Sequence, residues 1–355
     1  MARILAIGDP HFQTFHLHRA REFIDKLDAW LATKKYDAIV VLGDVLHDHE
    51  RLHSLSLNLA VKWLTELRAH AKDVYVLVGN HDYINNGQFL TTNHWMNALK
   101  NHRGLHVVDD VVEKKVNDIP ITLLPYVQPG RFQEALNLRA EDRWKKSKVI
   151  FGHQEFKGAQ MGSCESDKGD DWSLTLPPVI SGHIHGKQYL HNGIFYPGSS
   201  VPVSFSETSE RIVAEIIISN GSNGSNGSNE WMEGVIVKEH NMGLTRLVSK
   251  NISVDDWDSL SLDEYVGSEL KLKIDAPPSE MRRIKKTKKY QKLKQANVKI
   301  AFHRSRTAVK EENDRLRSVV QTDGRRDFKS ILDFIVTESD DSSIVSMYNE
   351  ILSSL

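Results

Sequence analysis

The sequence predicts an α/β domain, and three observations predict it. Short runs rich in Ile, Val and Leu alternate with longer segments of helical period from residue 1 to about 218. Nearly every apolar run ends in Gly followed by a polar cluster. The composition, 40% apolar and 26% charged over 355 residues, is that of a globular chain with room for more than one domain, and excludes collagen, coiled coil and wholesale disorder. The strand candidates are Ile4 to Ile7, Ile39 to Leu42, Val74 to Val78, Ile121 to Leu124, Val149 to Phe151 and Val179 to Ser181. Between them, Leu17 to Leu31 and Leu52 to Ala71 carry apolar residues three and four apart, as in Leu57, Val61, Leu64 and Leu67. That spacing marks amphipathic helices covering the sheet faces.

Residues 219–229 read SNGSNGSNGSN, a repeat with nothing to bury, and are expected to form a mobile loop. The stretch EWMEGVIVKEHNMGLTRLVS alternates like a hairpin and is expected to complete a first domain, 1–247. A second unit, 248–310, is βαβ-like: a strand at ELKLKIDAPP, a helical segment Ser279 to Gln295 and a strand at VKIAFHR. From Arg282 to Lys310 there are twelve Lys/Arg and no Asp/Glu, a local potential that attracts polyanions. The remainder, 311–355, reverses the charge with ten acidic residues against five basic. It carries two apolar stripes, Phe328, Ile331, Leu332, Ile335 and Ile344, Tyr348, Ile351, Leu352, each on a segment too short to be stable alone. The net charge of -1 is thus a sum of opposed segments.

No run approaches the roughly eighteen apolar residues of a membrane span, and the start MARILAIGDPH lacks a signal-peptide pattern, so no membrane association and a cytoplasmic location are expected. The single cysteine, Cys164, makes neither an internal disulfide nor a thiolate zinc site, which leaves any metal to His, Asp and Asn.

Five clusters stand at or just past strand ends: Gly8-Asp9-Pro10-His11, Gly43-Asp44-Val45-Leu46-His47, Gly79-Asn80-His81-Asp82, Gly152-His153 and Gly182-His183-Ile184-His185. One alone reads as a turn with an Asx bond, or as a hydrogen-bonded structural histidine. Five in one α/β chain gather on the carboxyl edge of the sheet, where ligands bind. Their oxygen and imidazole donors suit Mn²⁺, Fe²⁺ or Zn²⁺, and are too many for a single ion. Two ions bridged by one carboxylate would use them, the apparatus for in-line attack on a phosphate ester.

The ordered set DPH, GDVLH, GNHD, GH and GHIH resembles the calcineurin-like metallophosphoesterase superfamily. Within it the chain is most similar to the repair-nuclease family of bacterial SbcD, the meiotic-recombination-eleven nuclease and the tailed-phage recombination endonuclease subunit. The resemblance rests on His47 three residues after Asp44, on Gly152-His153-Gln154 followed by Gly158-Ala159, and on Tyr196-Pro197-Gly198-Ser199. Phe12-Gln13 departs from the Leu-Gly of many relatives. The resemblance implies a four-layer α/β/β/α sandwich with a small α+β capping domain and a helical C-terminal tail. It implies that Asp9, His11 and His185 hold one metal, that Asn80, His153 and His183 hold the other, and that Asp44 bridges. It implies two Mn²⁺ ions, with Mg²⁺, Fe²⁺ or Zn²⁺ as substitutes. His81 matches the family's catalytic histidine, Asp82 is a candidate to orient it, and His47 matches the histidine that seats the phosphate backbone. Arg282, Arg283, Lys285, Lys286, Lys288, Lys289, Lys292 and Lys294, falling in the capping domain, are expected to contact DNA. By the same resemblance the tail binds an SMC-like ABC ATPase of the SbcC type, and the Leu52 to Ala71 helix and the Trp95 segment belong to a homodimer interface. The implied activity is metal-dependent DNA exonuclease and endonuclease cleavage in repair and recombination, in a bacterial cell or a phage-infected host. A stand-alone phosphatase or cyclic-nucleotide phosphodiesterase, and a non-catalytic scaffold, are the competing readings. The remaining histidines, Cys164 and the tryptophans are read as structural or surface residues.

Overall fold

The computed structural model describes residues 1–49, 51–207, 210–219, 230–303, 332, 336 and 342–353. It divides into two compact units, Met1–Leu247 and Val248–Leu355. The Ser-Asn-Gly repeat beyond residue 219 and the first tail stripe lie outside the described residues, apart from Leu332.

The first unit is built on two sheets. In one, β1 (Ala2–Ile7), β2 (Tyr36–Val41), β3 (Ala71–Leu77) and β4 (Leu105–Val108) run parallel, and β13 (Ile212–Ile218), β15 (Val235–Asn241) and β14 (Glu230–Met232) extend the β1 side with antiparallel pairing. The second sheet has the order β11 (Gln188–Leu190), β12 (Ile194–Tyr196), β10 (Val179–Gly182), β7 (Val149–His153), β6 (Ile119–Leu123) and β5 (Val112–Val116), parallel at its centre, and β8 (Gln160–Met161) and β9 (Cys164–Glu165) form a separate short ribbon. Each central strand is apolar on both faces, so alternate residues serve different cores. Ile4, Ala6, Val40 and Leu77 pack with Leu123, Phe151 and Ile180 between the sheets. Leu5, Ile7, Ile39 and Val76 point the other way, onto α1 (Leu17–Leu31) and α2 (Ser54–Glu66), where Phe23, Leu27 and Trp63 are fully buried. On the far face of the second sheet, α3 (Phe132–Ala140) and Trp144 cover Ile150 and Val179. The result is the mixed α/β, four-layer arrangement that the sequence implied.

Local departures have local causes. The helix expected over residues 52–71 stops at Glu66, passes through a 3-10 turn at Leu67–Ala69, and gives way to β3, whose first residue Ala71 already pairs with Tyr36. The segment carrying Trp95 is a 3-10 turn, Trp95–Leu99, rather than a helix. The expected hairpin is β14 with β15, whereas the residues after Gly243 leave that sheet as β16 (Arg246–Ser253).

The second unit pairs β16, β17 (Ser268–Asp275) and β18 (Lys299–His303) in that order, with β17 and β18 parallel. The helical segment between them is two helices, α4 (Pro278–Lys285) and α5 (Lys288–Gln295). Thr287 breaks the segment by capping α5, its hydroxyl oxygen accepting the Tyr290 N–H. Ile284 and Leu293 face a small core with Trp257, Leu272 and Ile274. Within the described tail, α6 (Ser342–Ser353) leaves Met347 and Ile351 exposed.

Candidate metal centre

The parallel strands β1, β2, β3, β7 and β10 end together, so the five clusters that follow them converge. Backbone pairing locks the first two loops side by side: His11 N–H donates to the Asp44 carbonyl (2.9 Å) and Phe12 N–H to that of Val45 (2.8 Å). Close approach is enforced by glycine. A Cβ on Gly79 would lie 2.1 Å from Asp44 Oδ1 and 2.3 Å from Asp44 N, and one on Gly8 would lie 1.9 Å from the Gly198 carbonyl oxygen. The second contact explains Pro197-Gly198-Ser199, which braces the first cluster. Three of the cluster residues are not glycine yet hold positive φ: His11 (45°), Asp44 (48°) and His183 (82°). Such backbone costs about 1–3 kcal/mol per residue and survives where the surroundings over-determine it, as at a ligand clamp.

The polar atoms fall into two triads. His11 Nε2 lies 2.8 Å from His185 Nε2, and Asp9 joins them within one ligand-sized cluster. On the other side Asn80 Oδ1 lies 3.1 Å from His153 Nε2 and 2.9 Å from His183 Nδ1. Asp44 Oδ2 stands between, 3.5 Å from His11 Nε2 and 3.4 Å from His153 Nε2. Each carboxylate is held by one oxygen, leaving the other for the centre. Asp44 Oδ1 accepts the His81 N–H and Asp9 Oδ2 the His183 N–H, both at 2.8 Å.

The donor set fits divalent cations. Among the described residues Asp9 Oδ1 is buried with no hydrogen-bond partner, and His153 Nδ1 comes no closer than 3.7 Å; leaving such an oxygen without a hydrogen bond costs about 1–3 kcal/mol. His153 Nδ1 donates to the Leu42 carbonyl (2.7 Å), so in the neutral ring a bare Nε2 lone pair faces the oxygens of Asn80 and Asp44. His11 and His185 likewise present two ring nitrogens to each other with at most one proton between them. Cations between these atoms turn repulsion into coordination.

The electrostatics of the protein groups alone agree. Burial pushes Asp9 up to about 6 against the pull of His153. Burial opposes charge on His153 too, but the Asp44 and Asp9 carboxylates overcome it and hold this histidine up to about 9. Burial also opposes charge on Asp44, yet His153 and His11 keep it well below the usual carboxylate range. Burial, reinforced by His153, drops His183 to about 3, and burial holds His11 well below its ordinary value. His11 and His183 are therefore neutral, as ligands must be, whereas neighbouring carboxylates favour a proton on His153 and His185 that a cation would have to displace.

A family pattern, the calcineurin-like phosphoesterases, matches residues 2–187, the stretch that contains all five clusters. The chain belongs to that family. It is a metallophosphoesterase-type phosphoester hydrolase, of a family that binds divalent metals. It is 35% identical over 352 residues to "Putative phosphoesterase 078R" of Invertebrate iridescent virus 3, covering 98% of this chain and 96% of that protein. It is 37% identical over 286 residues to "Putative phosphoesterase 244L" of Invertebrate iridescent virus 6, covering 81% and 98%. Among solved structures, a predicted phosphoesterase from Streptococcus pneumoniae aligns at 12% identity and a TM-score of 0.30, over 68% of this chain and 91% of that one.

The remaining expected site residues of this phosphoesterase divide. His81 and His47 join the centre: their rings stack at 5.3 Å, and His47 Nδ1 is 3.4 Å from His11 Nδ1. Burial lowers the pKa of both. Asp82 does not orient His81, whose Nδ1 instead donates to the His47 carbonyl. The Asp82 carboxylate accepts the N–H groups of Val45, Leu46 and Gly79 and the Trp95 indole N–H, so it ties two clusters together and gives Trp95 a structural task. Burial and the Asp44 charge push Asp82 up to about 7 against those donors.

In the second unit Arg282, Arg283, Lys285, Lys286, Lys288, Lys292 and Lys294 are exposed on the sides of α4 and α5 away from Ile284 and Leu293. Lys289 is a correction: half-buried, its ammonium donates to the carbonyls of Trp257, Asp258 and Leu260, which holds the unit's own loop rather than a ligand. Arg283 is paired with Glu280 and Asp258.

Residues with no signature in the sequence also shape the centre. Glu207 accepts from His185 Nδ1 at 2.9 Å, Asn86 Oδ1 accepts from Asn80 Nδ2 at 3.3 Å, and the His49 ring stacks on His81 with centroids 4.4 Å apart. His94 and His106 are ordinary structural histidines on Asp109 and Asp73, and Cys164 is exposed.

Proposed function

We propose that this phosphoesterase is a DNA nuclease, the catalytic subunit of an SbcCD-like complex that hydrolyses phosphodiester bonds with two Mn²⁺ ions. The observation that carries the reading is the basic second unit: twelve Lys/Arg with no acid between Arg282 and Lys310 in the sequence, of which Arg282, Arg283, Lys285, Lys286, Lys288, Lys292 and Lys294 are exposed on or beside α4 and α5. A phosphoesterase of small molecules has no use for such a surface. Release of counterions from a phosphate backbone gives it affinity without reading sequence.

Asp9, His11 and His185 would hold one ion and Asn80, His153 and His183 the other, with Asp44 shared. When bound, the pair supplies an activated water and charge stabilisation for in-line displacement at phosphorus. The protein's own work is positional and protonic. With its Nδ1 proton on the His47 carbonyl, His81 presents Nε2 to the centre, where it holds or delivers a proton to the leaving oxygen. Its lowered pKa makes the protonated form a readier donor. His47, stacked on His81 and beside His11, would seat a phosphate oxygen of the substrate.

The exposed Met347 and Ile351 of α6 support a partner-binding role for the tail, with an SMC-like ATPase as the proposed partner. A homodimer is proposed through α2, which exposes Leu55. Among the described residues no helix is long and apolar enough to cross a membrane.

Incubating the purified chain with Mn²⁺, duplex DNA and a small chromogenic phosphodiester tests the reading. Cleavage of the DNA is expected. Turnover of the small ester alone would replace the nuclease with a phosphatase or cyclic-nucleotide phosphodiesterase, and loss of turnover on both with ions bound would leave a scaffold.

A further inference from the structure

His185 differs from the other candidate ligand histidines in what holds its outer nitrogen. His153 donates its Nδ1 proton to a neutral carbonyl, that of Leu42. Among the described residues the outer Nε2 of His183 has Glu155 Oε2 at 3.9 Å, beyond hydrogen-bond reach. His185 Nδ1 instead meets a carboxylate, Glu207 Oε1, at 2.9 Å. Glu207 is itself fixed from three directions. Its Oε2 accepts from Arg211 Nη2 (2.7 Å) and the Val203 N–H (3.2 Å), and its side chain is only 12% exposed.

The arginine extends this clamp. Arg211 is buried, and its Nη1 donates to the Ser199 hydroxyl (2.7 Å), the Ser199 carbonyl (3.3 Å) and the His185 carbonyl (3.4 Å). It stands one residue before β13, in the first sheet, whereas His185 follows β10 in the second. The Glu207–Arg211 pair therefore joins the two sheets at the rim of the centre and sets both the backbone and the ring of His185. A buried pair of this kind is costly to desolvate and gives little net stability, so a task at the centre accounts for it better than stability does.

We infer that Glu207 is the positioning residue for His185, and that it makes the two halves of the centre unequal. By holding the Nδ1 proton it fixes the tautomer with Nε2 facing His11, and its negative charge raises the donor strength of that ring. The Asp9, His11 and His185 side then combines a carboxylate with a carboxylate-backed imidazole. The Asn80, His153 and His183 side, Asp44 being shared, has only neutral donors of its own. The Glu207 side takes the tighter divalent cation.

The inference rests on the two-metal reading, and the experiment separates the two. Mn²⁺ is titrated into the full chain by calorimetry, for wild type, Glu207→Gln and Glu207→Ala, with the melting temperature of each measured without metal. The wild type is expected to bind two ions in a tight and a weak step. Glu207→Gln, which keeps an acceptor oxygen and loses the charge, should weaken the tight step by about 10- to 100-fold. It should leave the weak step unchanged, while the metal-free melting temperature falls because the buried Arg211 keeps its charge without a counter-charge. Glu207→Ala should weaken the tight step at least as much. Two steps unchanged in Glu207→Gln, or both weakened equally, overturn the role of Glu207 alone. Fewer than two ions on the wild type overturn the metal reading itself.

Discussion

Asp44 gives one oxygen to a backbone N–H and offers the other to both triads at once. Replacing it with alanine should therefore abolish binding of both ions, not one, in a titration monitored by calorimetry; retention of a single full-affinity site would show that it does not bridge. His81→Ala should keep both ions and DNA affinity while kcat falls by about 10² to 10⁴. His153 gives a pH signature. Raised from 6.5 to about 9 by Asp44 and Asp9 against burial, its charged form stabilises the metal-free fold fully below about pH 6.5, a contribution lost as the pH rises through 9. A cation must displace that proton. Binding near pH 7.5 should release about one proton, seen by calorimetry in buffers of different ionisation enthalpy, and affinity should climb between pH 6.5 and 9. Proton-neutral binding would contradict this. The residues legible in the sequence were those that follow a strand and a glycine. Glu207 and His49 were not legible because they reach the centre from loops with no periodic signal. The Leu42 carbonyl was not because a backbone oxygen leaves no trace in residue type. The task of Asp82 is not legible because adjacency in sequence to His81 is not adjacency of their side chains.

Elements position these side chains through the ends of parallel strands, so the turn after each strand is as constrained as the ligand it carries. Gly79→Ala is the sharpest test, since its Cβ would meet Asp44 on both a side-chain oxygen and the backbone nitrogen, neither the end of a flexible chain. Both ions should be lost or weakened more than the melting temperature alone would explain; normal metal loading would mean that the loop gives way freely. Trp63→Ala, on α2 against Phe12 and Phe23, should cost about 3–5 kcal/mol in denaturant unfolding while the centre keeps its metal preference. Helix α1 was readable to its ends because Ala20, Phe23, Ile24, Leu27 and Leu31 form one unbroken stripe. Helix α2 is shorter than its apolar stripe because the stripe through Leu67 continues into a 3-10 turn, and pairing of Ala71 with Tyr36 then wins over helical propensity. The break between α4 and α5 left no gap in the apolar pattern, since Ile284 and Leu293 serve the same core from separate helices.

At the scale of the molecule, a phosphoesterase fold is joined to a basic unit and an acidic tail, and the proposal of a polyanionic substrate rests on that charge asymmetry along the chain. Reversing Arg282, Lys286, Lys288 and Lys292 to Glu should weaken duplex binding and flatten its salt dependence without changing turnover of a small phosphodiester. Unchanged binding would remove DNA from the account of this unit. The central claim is narrower: the five strand-end clusters cage two cations around Asp44. An anomalous-scattering map of Mn²⁺-soaked crystals tests it most directly. The account predicts two peaks about 3.5–4 Å apart, one among Asp9, His11 and His185 and the other among Asn80, His153 and His183, with Asp44 touching both. A single peak, or ions bound elsewhere on the chain, would contradict it.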